Sequence, residues 1–259
     1  FFQQAEEIGQ GARQFVDAGL LEGVDRVYGA HMCSSLDVGD VSLTPGPMNA
    51  SCDYFKIEVK GKGAHVSTPQ LGIDALYIAS QIVVNLQTIV SRNTAPVDSA
   101  VVGVGVLRAG TQYNIVAEDA VLEGTTRSFT PQQRAFTNQK VETIATQTAA
   151  LFGASATVTF KDYAAPLIND EDIANEVSKI AEAIVGPSHV IHNQTKMLQA
   201  DDFADYLAKV KGVYAFIGSR NKAYPNTCVA LHHGLFDIDE DALLISCNLF
   251  VDYTLDYLK

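Results

Sequence analysis

Residues 52–162 most constrain the fold, because the spacing of their apolar residues changes in a fixed order. The stretch YFKIEVKGKG alternates apolar and charged residues, which predicts a half-buried strand with Phe55, Ile57 and Val59 on its inner face. A helix with an apolar stripe follows over about 74–90, then two strands within 97–129. Thr130 and Pro131 open a second helix, and ASATVTFKDY predicts a last strand. The order is therefore β-α-β-β-α-β.

This order is that of the ferredoxin-like split unit. On both sides of it, helices alternate with buried strands. Before it come a short helix from residue 11 and a strand that ends at His31. After it come a helix at 170–186, a helical stretch over 197–211, the apolar strand GVYAFIG and a final helix at 239–259. We therefore predict an α/β fold: one domain in two pieces, 1–51 and 163–259, interrupted by the insert 52–162.

Composition excludes some classes of function and indicates a compartment. The net charge of −12 argues against binding to nucleic acid or to an anionic membrane. The longest apolar runs, such as AVVGVGVL, are too short to cross a bilayer. The four cysteines have no CxxC spacing, and we expect reduced, mostly buried thiols in a cytoplasmic protein; they are Cys33, Cys52, Cys228 and Cys247.

Two adjacent acids, Glu6 and Glu7, are the first candidates for chemistry. Taken alone, such a pair is most often the solvated start of a helix. Here it follows FFQQA, which reads as the end of a buried strand, and ligands bind at strand ends in open α/β sheets. His31 ends the next predicted strand, so Glu7 and His31 can converge on one sheet edge. A carboxylate and an imidazole suit zinc or a similar divalent ion.

Further candidates lie downstream. His232 and His233 follow an apolar stretch; neighbours in a strand point opposite ways, so at most one of them binds a given ion. His65, Asn114 and Arg127 lie in the insert, the last two on what we predict to be neighbouring strands. Arg127 could clamp a carboxylate, although spacing alone favours a surface salt bridge.

Several long motifs resemble the M20 metallopeptidase superfamily, in the family's order. QQAEEIGQGARQFVDAGLLEGVDRVYGAHM resembles its QPAEE…GLH stretch, MLQADDFADYLAKVKGVYAFIG its SEDF segment, and LHHGLFDIDEDAL its final histidine motif. The match is nearest the amidohydrolase branch, which includes aminoacylases, hippurate hydrolases and indole-acetyl-amino-acid hydrolases. The resemblance covers essentially the whole chain.

The resemblance implies a phosphorylase/hydrolase-like metal-binding domain with an inserted dimerisation (lid) domain. It makes Glu6 the general base and Glu7, His31 and His232 metal ligands. It also assigns roles to three residues of the insert. His65 completes the partner subunit's active site and stabilises the oxyanion, whereas Asn114 and Arg127 bind the substrate's carboxylate or the oxyanion. The implied enzyme is a metal-dependent amidohydrolase that, when complete, holds two ions, Zn²⁺ or Mn²⁺; it cleaves N-acyl amino acids or a similar small carboxylated amide and forms a homodimer.

The chain also departs from the family pattern. No C-G-H-D segment, which supplies a cysteine and a histidine ligand, occurs in it. We therefore expect the N-terminal part of the metal domain to be absent, with exposed apolar surface that promotes association. Ala200-Asp201-Asp202 replaces Ser-Glu-Asp, which would reshape the pocket wall. The alternative hypothesis is a truncated, non-catalytic remnant that acts only as a dimerising scaffold.

Overall fold

The computed structural model describes residues 1–259, which fall into two compact units. Unit 1 comprises Phe1–Met48, Leu167–Met197 and Asp201–Lys259, and unit 2 comprises Asn49–Pro166 and Leu198–Ala200. The strands are β1 Val27–Asp37, β2 Val41–Ser42, β3 Gly46–Asn49, β4 Cys52–Lys60, β5 Ala64–His65, β6 Ala100–Ala109, β7 Ile115–Val116, β8 Asp119–Ser128, β9 Ser155–Ala164, β10 Leu167–Asn169, β11 Val190–Ile191 and β12 Gly212–Arg220. The α-helices are α1 Gly11–Asp17, α2 Ala75–Thr88, α3 Pro131–Leu151, α4 Glu171–Val185, α5 Phe203–Leu207 and α6 Asp241–Tyr257.

Unit 2 is built on a four-stranded sheet with the order β6-β8-β4-β9. All its pairings are antiparallel, and α2 and α3 lie between the strands in sequence, which gives the βαββαβ order that the sequence pattern predicts. The alternation in β4 is observed directly: Phe55, Ile57 and Val59 are buried, with less buried residues between them. The helix α2 covers this inner face with fully buried side chains, among them Ile82 and Leu86.

Both helices of unit 2 begin where side chains cap them. Asp74 accepts hydrogen bonds from the backbone N–H groups of Leu76 and Tyr77 at the start of α2. The Thr130 hydroxyl accepts one from Gln133, and Pro131 occupies the first turn of α3. These local signals explain why the two helix starts were predictable.

Unit 1 has a four-stranded sheet with the order β1-β12-β2-β11. β1 and β12 run parallel, whereas β12 and β2 run antiparallel. β12 is buried at every position but its last, which explains its unbroken apolar sequence. Its Val213, Ala215 and Ile217 pack with buried residues of α4 and α6. A separate ladder joins β3 and β10.

The stretch 197–211 is less helical than its sequence pattern predicts. Only Phe203–Leu207 is α-helix. Met197 donates its backbone N–H to Met48, and the Asp201 carboxylate accepts the N–H of Phe203 at 2.9 Å. Because an aspartate that binds the backbone two residues on competes with helix formation, the helix begins after it.

All four cysteines are free, as expected, but they are not mostly buried. Cys33 is buried and Cys52 is half-buried, whereas Cys228 and Cys247 are exposed. The expectation of buried thiols is therefore wrong for the two C-terminal cysteines. None of the helices is long and apolar enough to span a membrane.

Candidate active site

Glu6 and Glu7 lie in a tight turn, not at the end of a strand. Residues 1–5 form no strand, since they join no sheet, which corrects that part of the prediction. Glu6–Ile8 is one 3-10 turn, and both carboxylate residues are exposed. Ala5, just before the turn, has a left-handed backbone with φ of 62°. Such a conformation costs a non-glycine residue about 1–3 kcal/mol and is concentrated at functional sites.

His31 lies within β1, opposite Phe216 of the parallel strand β12, so the prediction that the strand ends at His31 is wrong: pairing with β12 continues through Met32 and Cys33. Its ring is half-buried, and its Nδ1 lies 2.7 Å from the carbonyl oxygen of Met32. This contact favours the tautomer in which Nδ1 donates its hydrogen and Nε2 keeps a lone pair. A neutral imidazole oriented in this way is a suitable metal ligand.

His232 lies in the exposed loop before α6 and approaches Glu7. Its Nε2 is 3.9 Å from Glu7 Oε2, and both side chains are about three-quarters exposed. His232 has φ of 65°, so it and Ala5 are the two non-glycine residues with positive φ. Left-handed backbone therefore occurs at one candidate ligand and directly before the candidate general base.

Two buried acids, Asp201 and Asp202, lie beside Glu6. One ligand atom from each of the three carboxylates falls within 4.8 Å of the others, and no other group of three or more potential ligands does so. Asp201 accepts hydrogen bonds from the Tyr214 hydroxyl and the Phe203 backbone. The three carboxylates and Tyr214 also line a cavity of about 450 Å³ in unit 1.

The acids around Glu6 change its ionisation. Although Glu6 is exposed as a residue, partial burial of its carboxyl, followed by the negative charges of Asp201, Asp202 and Glu7, raises its pKa to about 7, and His31 acts in the opposite direction. Burial likewise raises the pKa of Asp201. A carboxyl with a pKa near neutrality can both accept and return a proton at physiological pH, as general acid–base catalysis requires.

Unit 2 places His65 and Asn114 together. His65 is exposed in β5, where its Nδ1 contacts the Ser67 hydroxyl at 2.7 Å. The carbonyl oxygen of Asn114 accepts the backbone N–H of Val66 at 3.1 Å. Asn114 lies in the turn before β7, not in a strand, so it and Arg127 are not on neighbouring strands as predicted.

Arg127 lies in the four-stranded sheet of unit 2, whereas His65 lies in the separate β5–β7 ladder. It occupies the penultimate position of β8, next to Thr126, which pairs with Asp53; Lys60 pairs with Asp119 at the other end. Lys60 lies seven positions after Asp53, which corresponds to roughly 23 Å of strand. His65 follows Lys60 in sequence, so one copy of unit 2 keeps Arg127 apart from His65 and Asn114.

Comparison with known protein families shows to which family the chain belongs. The model of peptidase family M20/M25/M40 matches residues 1–256. The chain belongs to this family. It is 37% identical over 247 residues to N-acetyl-L-cysteine deacetylase of Bacillus subtilis, covering 94% of this chain and 56% of that protein. It is 32% identical over 261 residues to IAA-amino acid hydrolase ILR1-like 4 of Arabidopsis thaliana, covering 99% of this chain and 59% of that protein.

Solved structures agree with this M20 assignment. A putative aminohydrolase from methicillin-resistant Staphylococcus aureus matches with a TM-score of 0.91 and 29% identity, over 99% of this chain and 66% of that one. The YXEP protein of Bacillus subtilis, described as a dinuclear metal-binding peptidase of the M20 family, matches with a TM-score of 0.79 and 31% identity, over 96% and 62%. The M20 chain thus spans 56–66% of these relatives' lengths.

The M20 chain contains two site residues whose importance the sequence did not reveal. Asp201 and Asp202 were expected only to reshape a pocket wall, yet both lie against Glu6. Their position directly before Phe203, in the segment that resembles the family's SEDF motif, was the available signal. Of the expected ligands, the structure brings Glu7 and His232 together, and His31 joins no cluster of three with them.

Proposed function

We propose that this chain is part of a metal-dependent amidohydrolase that cleaves N-acyl amino acids or similar small carboxylated amides. The observation that carries the proposal is the Glu6–Glu7 turn: one carboxyl has a pKa of about 7, and its neighbour approaches His232 at 3.9 Å. Because the two carboxylates have different surroundings, Glu6 suits the role of general base and Glu7 that of metal ligand. The names of the relatives, which describe N-acetylcysteine deacetylation and IAA-amino acid hydrolysis, support this substrate class.

The donor atoms suit a divalent metal. Glu7, His31 and His232 offer one carboxylate and two imidazoles, the ligand types of catalytic zinc sites, and we propose that they hold Zn²⁺ or Mn²⁺. The Met32 carbonyl, which fixes the His31 ring, is the kind of outer contact that metal-binding histidines make. Such an ion lowers the pKa of water and polarises an amide carbonyl. The second ion of a dinuclear relative would need ligands beyond these three.

Proton transfer, stabilisation of the oxyanion and binding of the substrate's carboxylate are then assigned to different residues of the chain. Glu6 takes a proton from the attacking water and returns it to the leaving amine. His65 donates a hydrogen bond to the oxyanion. Arg127, whose guanidinium can bind a carboxylate with two parallel hydrogen bonds, and Asn114 hold the substrate's carboxylate. We propose residues 1–51 and 163–259 as the metal-binding domain and 52–162 as the dimerisation (lid) domain.

A homodimer follows from this assignment. In unit 2, Arg127 lies next to the residue that pairs with Asp53 of β4, and His65 follows Lys60, at the other end of the same strand; Asp53 and Lys60 are about 23 Å apart. One copy therefore cannot offer both side chains to one small substrate, whereas two copies related by a two-fold axis can each contribute one of them.

Turnover of N-acetyl amino acids with added Zn²⁺ or Mn²⁺ tests the proposal. We expect Glu6→Gln to lower kcat by about 100-fold or more, since it removes the proton acceptor. Mixing Arg127→Ala with His65→Ala chains should restore part of the activity that each variant lacks alone. Absence of turnover in the unaltered chain, combined with dimer formation, would instead support the dimerising scaffold.

A further inference from the structure

The segment that carries Glu6 and Glu7 is held at both ends by one side chain. Asp202, which is 2% exposed, accepts hydrogen bonds from Gln3 before the turn and from Ala12 after it. Gln3 Nε2 lies 2.7 and 3.0 Å from the two carboxylate oxygens, and the Ala12 backbone nitrogen lies 2.9 Å from one of them. The residues between these two contacts form a closed loop on the surface of unit 1.

The amide of Gln3 has only one possible orientation in this arrangement. Its Oε1 accepts a hydrogen bond from the Tyr206 hydroxyl at 2.8 Å, which leaves Nε2 to face Asp202. The loop is also closed tightly: a Cβ added to Gly11 would lie 1.8 Å from the carbonyl oxygen of Gln4 and 2.6 Å from Gln3 Nε2. Because both ends of the loop are fixed, the turn between them has few other conformations available.

We propose that Asp202 and Gln3 form a positioning clamp that holds Glu6 and Glu7 in place for the proposed hydrolysis. The catalytic role of this clamp rests on the proposed function, whereas its effect on the conformation of the turn rests on the hydrogen bonds alone. The clamp joins residues 199 positions apart, in the two segments that resemble the QPAEE and SEDF motifs. Gln3 acts only through the turn, whereas Asp202 acts through the turn and also through its charge, because its carboxylate lies within 4.8 Å of Glu6 and raises the pKa of that carboxyl.

A swapped pair gives the sharpest test. Asp202→Asn replaces one acceptor oxygen by an NH2 group that must face either Gln3 Nε2 or the Ala12 N–H, both of which are donors, and Gln3→Glu places one carboxylate against another, so each variant alone weakens the clamp. The double variant D202N/Q3E rebuilds it with the partners exchanged, since the new carboxylate accepts from the new amide and still accepts from Tyr206. Asp205→Asn is the matched control: it removes another buried carboxylate, three residues after Asp202 and within α5, that pairs with Arg13 at 3.2 Å.

We expect amide hydrogen exchange at residues 5–10 to accelerate about tenfold in each single variant, and Zn²⁺ affinity measured by calorimetry to fall by about tenfold. The double variant should return both values to within about twofold, and the control should leave both unchanged. In turnover, each single variant should lower kcat with little change in KM, and the swap should restore it.

Two results would overturn the clamp: unchanged exchange in both single variants, or a double variant no better than the worse single one. The test remains decisive even where a single variant unfolds, because recovery in the double variant requires both substitutions together. Failure of the proposed function gives a different pattern. The unaltered chain then shows no turnover, while the exchange rates still follow the swap.

Discussion

Arg134, near the start of α3, forms an ion pair with a carboxylate that water scarcely reaches. Its Nε and Nη2 donate to the two oxygens of Asp53 at 2.8 and 2.6 Å, and Nη2 also contacts Asp162. Asp53 is 2% exposed and lies on β4, an inner strand of the unit 2 sheet. Arg134→Met keeps an unbranched side chain but leaves the Asp53 carboxylate buried without its guanidinium.

The cost follows from that burial. Removing one partner of a buried ion pair costs about 3–5 kcal/mol, because the remaining charge is neither hydrated nor paired. The surroundings of Arg134 favour its charged form: burial lowers its pKa, yet the bonds and charges of Asp53 and Asp162 more than offset this, so its pKa is raised overall. Replacing both residues, in D53L/R134M, should cost less than the single change, because no charge is left behind.

Urea unfolding followed by circular dichroism measures the difference. Lys60→Met provides the control, since Lys60 and its partner Asp119 have side chains 68% and 56% exposed. An exposed pair of this kind contributes about 0–1 kcal/mol. A cost below about 1 kcal/mol for Arg134→Met, or a double variant less stable than the single one, would refute the argument that the unpaired Asp53 carboxylate causes the loss.

Three further predictions concern the Glu6 turn and the core of unit 2. Asp201→Asn should lower the pKa of Glu6 from about 7, because it removes a nearby negative charge, and a carbon-13 NMR titration of the Glu6 carboxyl would show no change if the reasoning fails. Since the folded pKa of Glu6 is raised from 4.5 to about 7, its contribution to stability should decline as pH rises through that window, and Glu6→Gln should flatten the decline in urea midpoints measured from pH 4.5 to 7. Leu86→Ala should cost about 2–5 kcal/mol in urea unfolding because Leu86 is fully buried, whereas Val84→Ala, at a position 62% exposed, should cost far less.

The architecture of unit 2 was predictable because each of its signals is local. The alternation in β4 fixes which face is buried, and Asp74, Thr130 and Pro131 mark where helices begin. The antiparallel register then follows from burying one face of the sheet. The place of Asn114 was not predictable in the same way. It depends on the small β5–β7 ladder, whose strands have two residues each and too little sequence to carry a periodic signal.

The site was predictable only in part, for a related reason. Glu6, Glu7 and His232 stand out as residue types in motifs, and the structure brings Glu7 and His232 to 3.9 Å. The contacts of Asp202 could not be foreseen, because its partner Gln3 lies 199 residues away and has no charge to suggest an ion pair. Hydrogen bonds of this kind depend on the closed loop itself, which a backbone contact at Gly11 makes possible.

The two halves of the proposed chemistry therefore have different physical origins. The pKa of Glu6 is set within unit 1, by its own burial and by two acids that reach it only after the fold has formed. The proposed substrate-binding groups lie within unit 2, where Arg127 is next to the Asp53 end of β4 and His65 follows the Lys60 end, and these two ends are about 23 Å apart. A substitution near Glu6 should therefore change proton transfer in every copy. In the proposed homodimer, a substitution at Arg127 or His65 should instead be rescued by a second copy that keeps the missing group, and this difference makes the two origins separable by experiment.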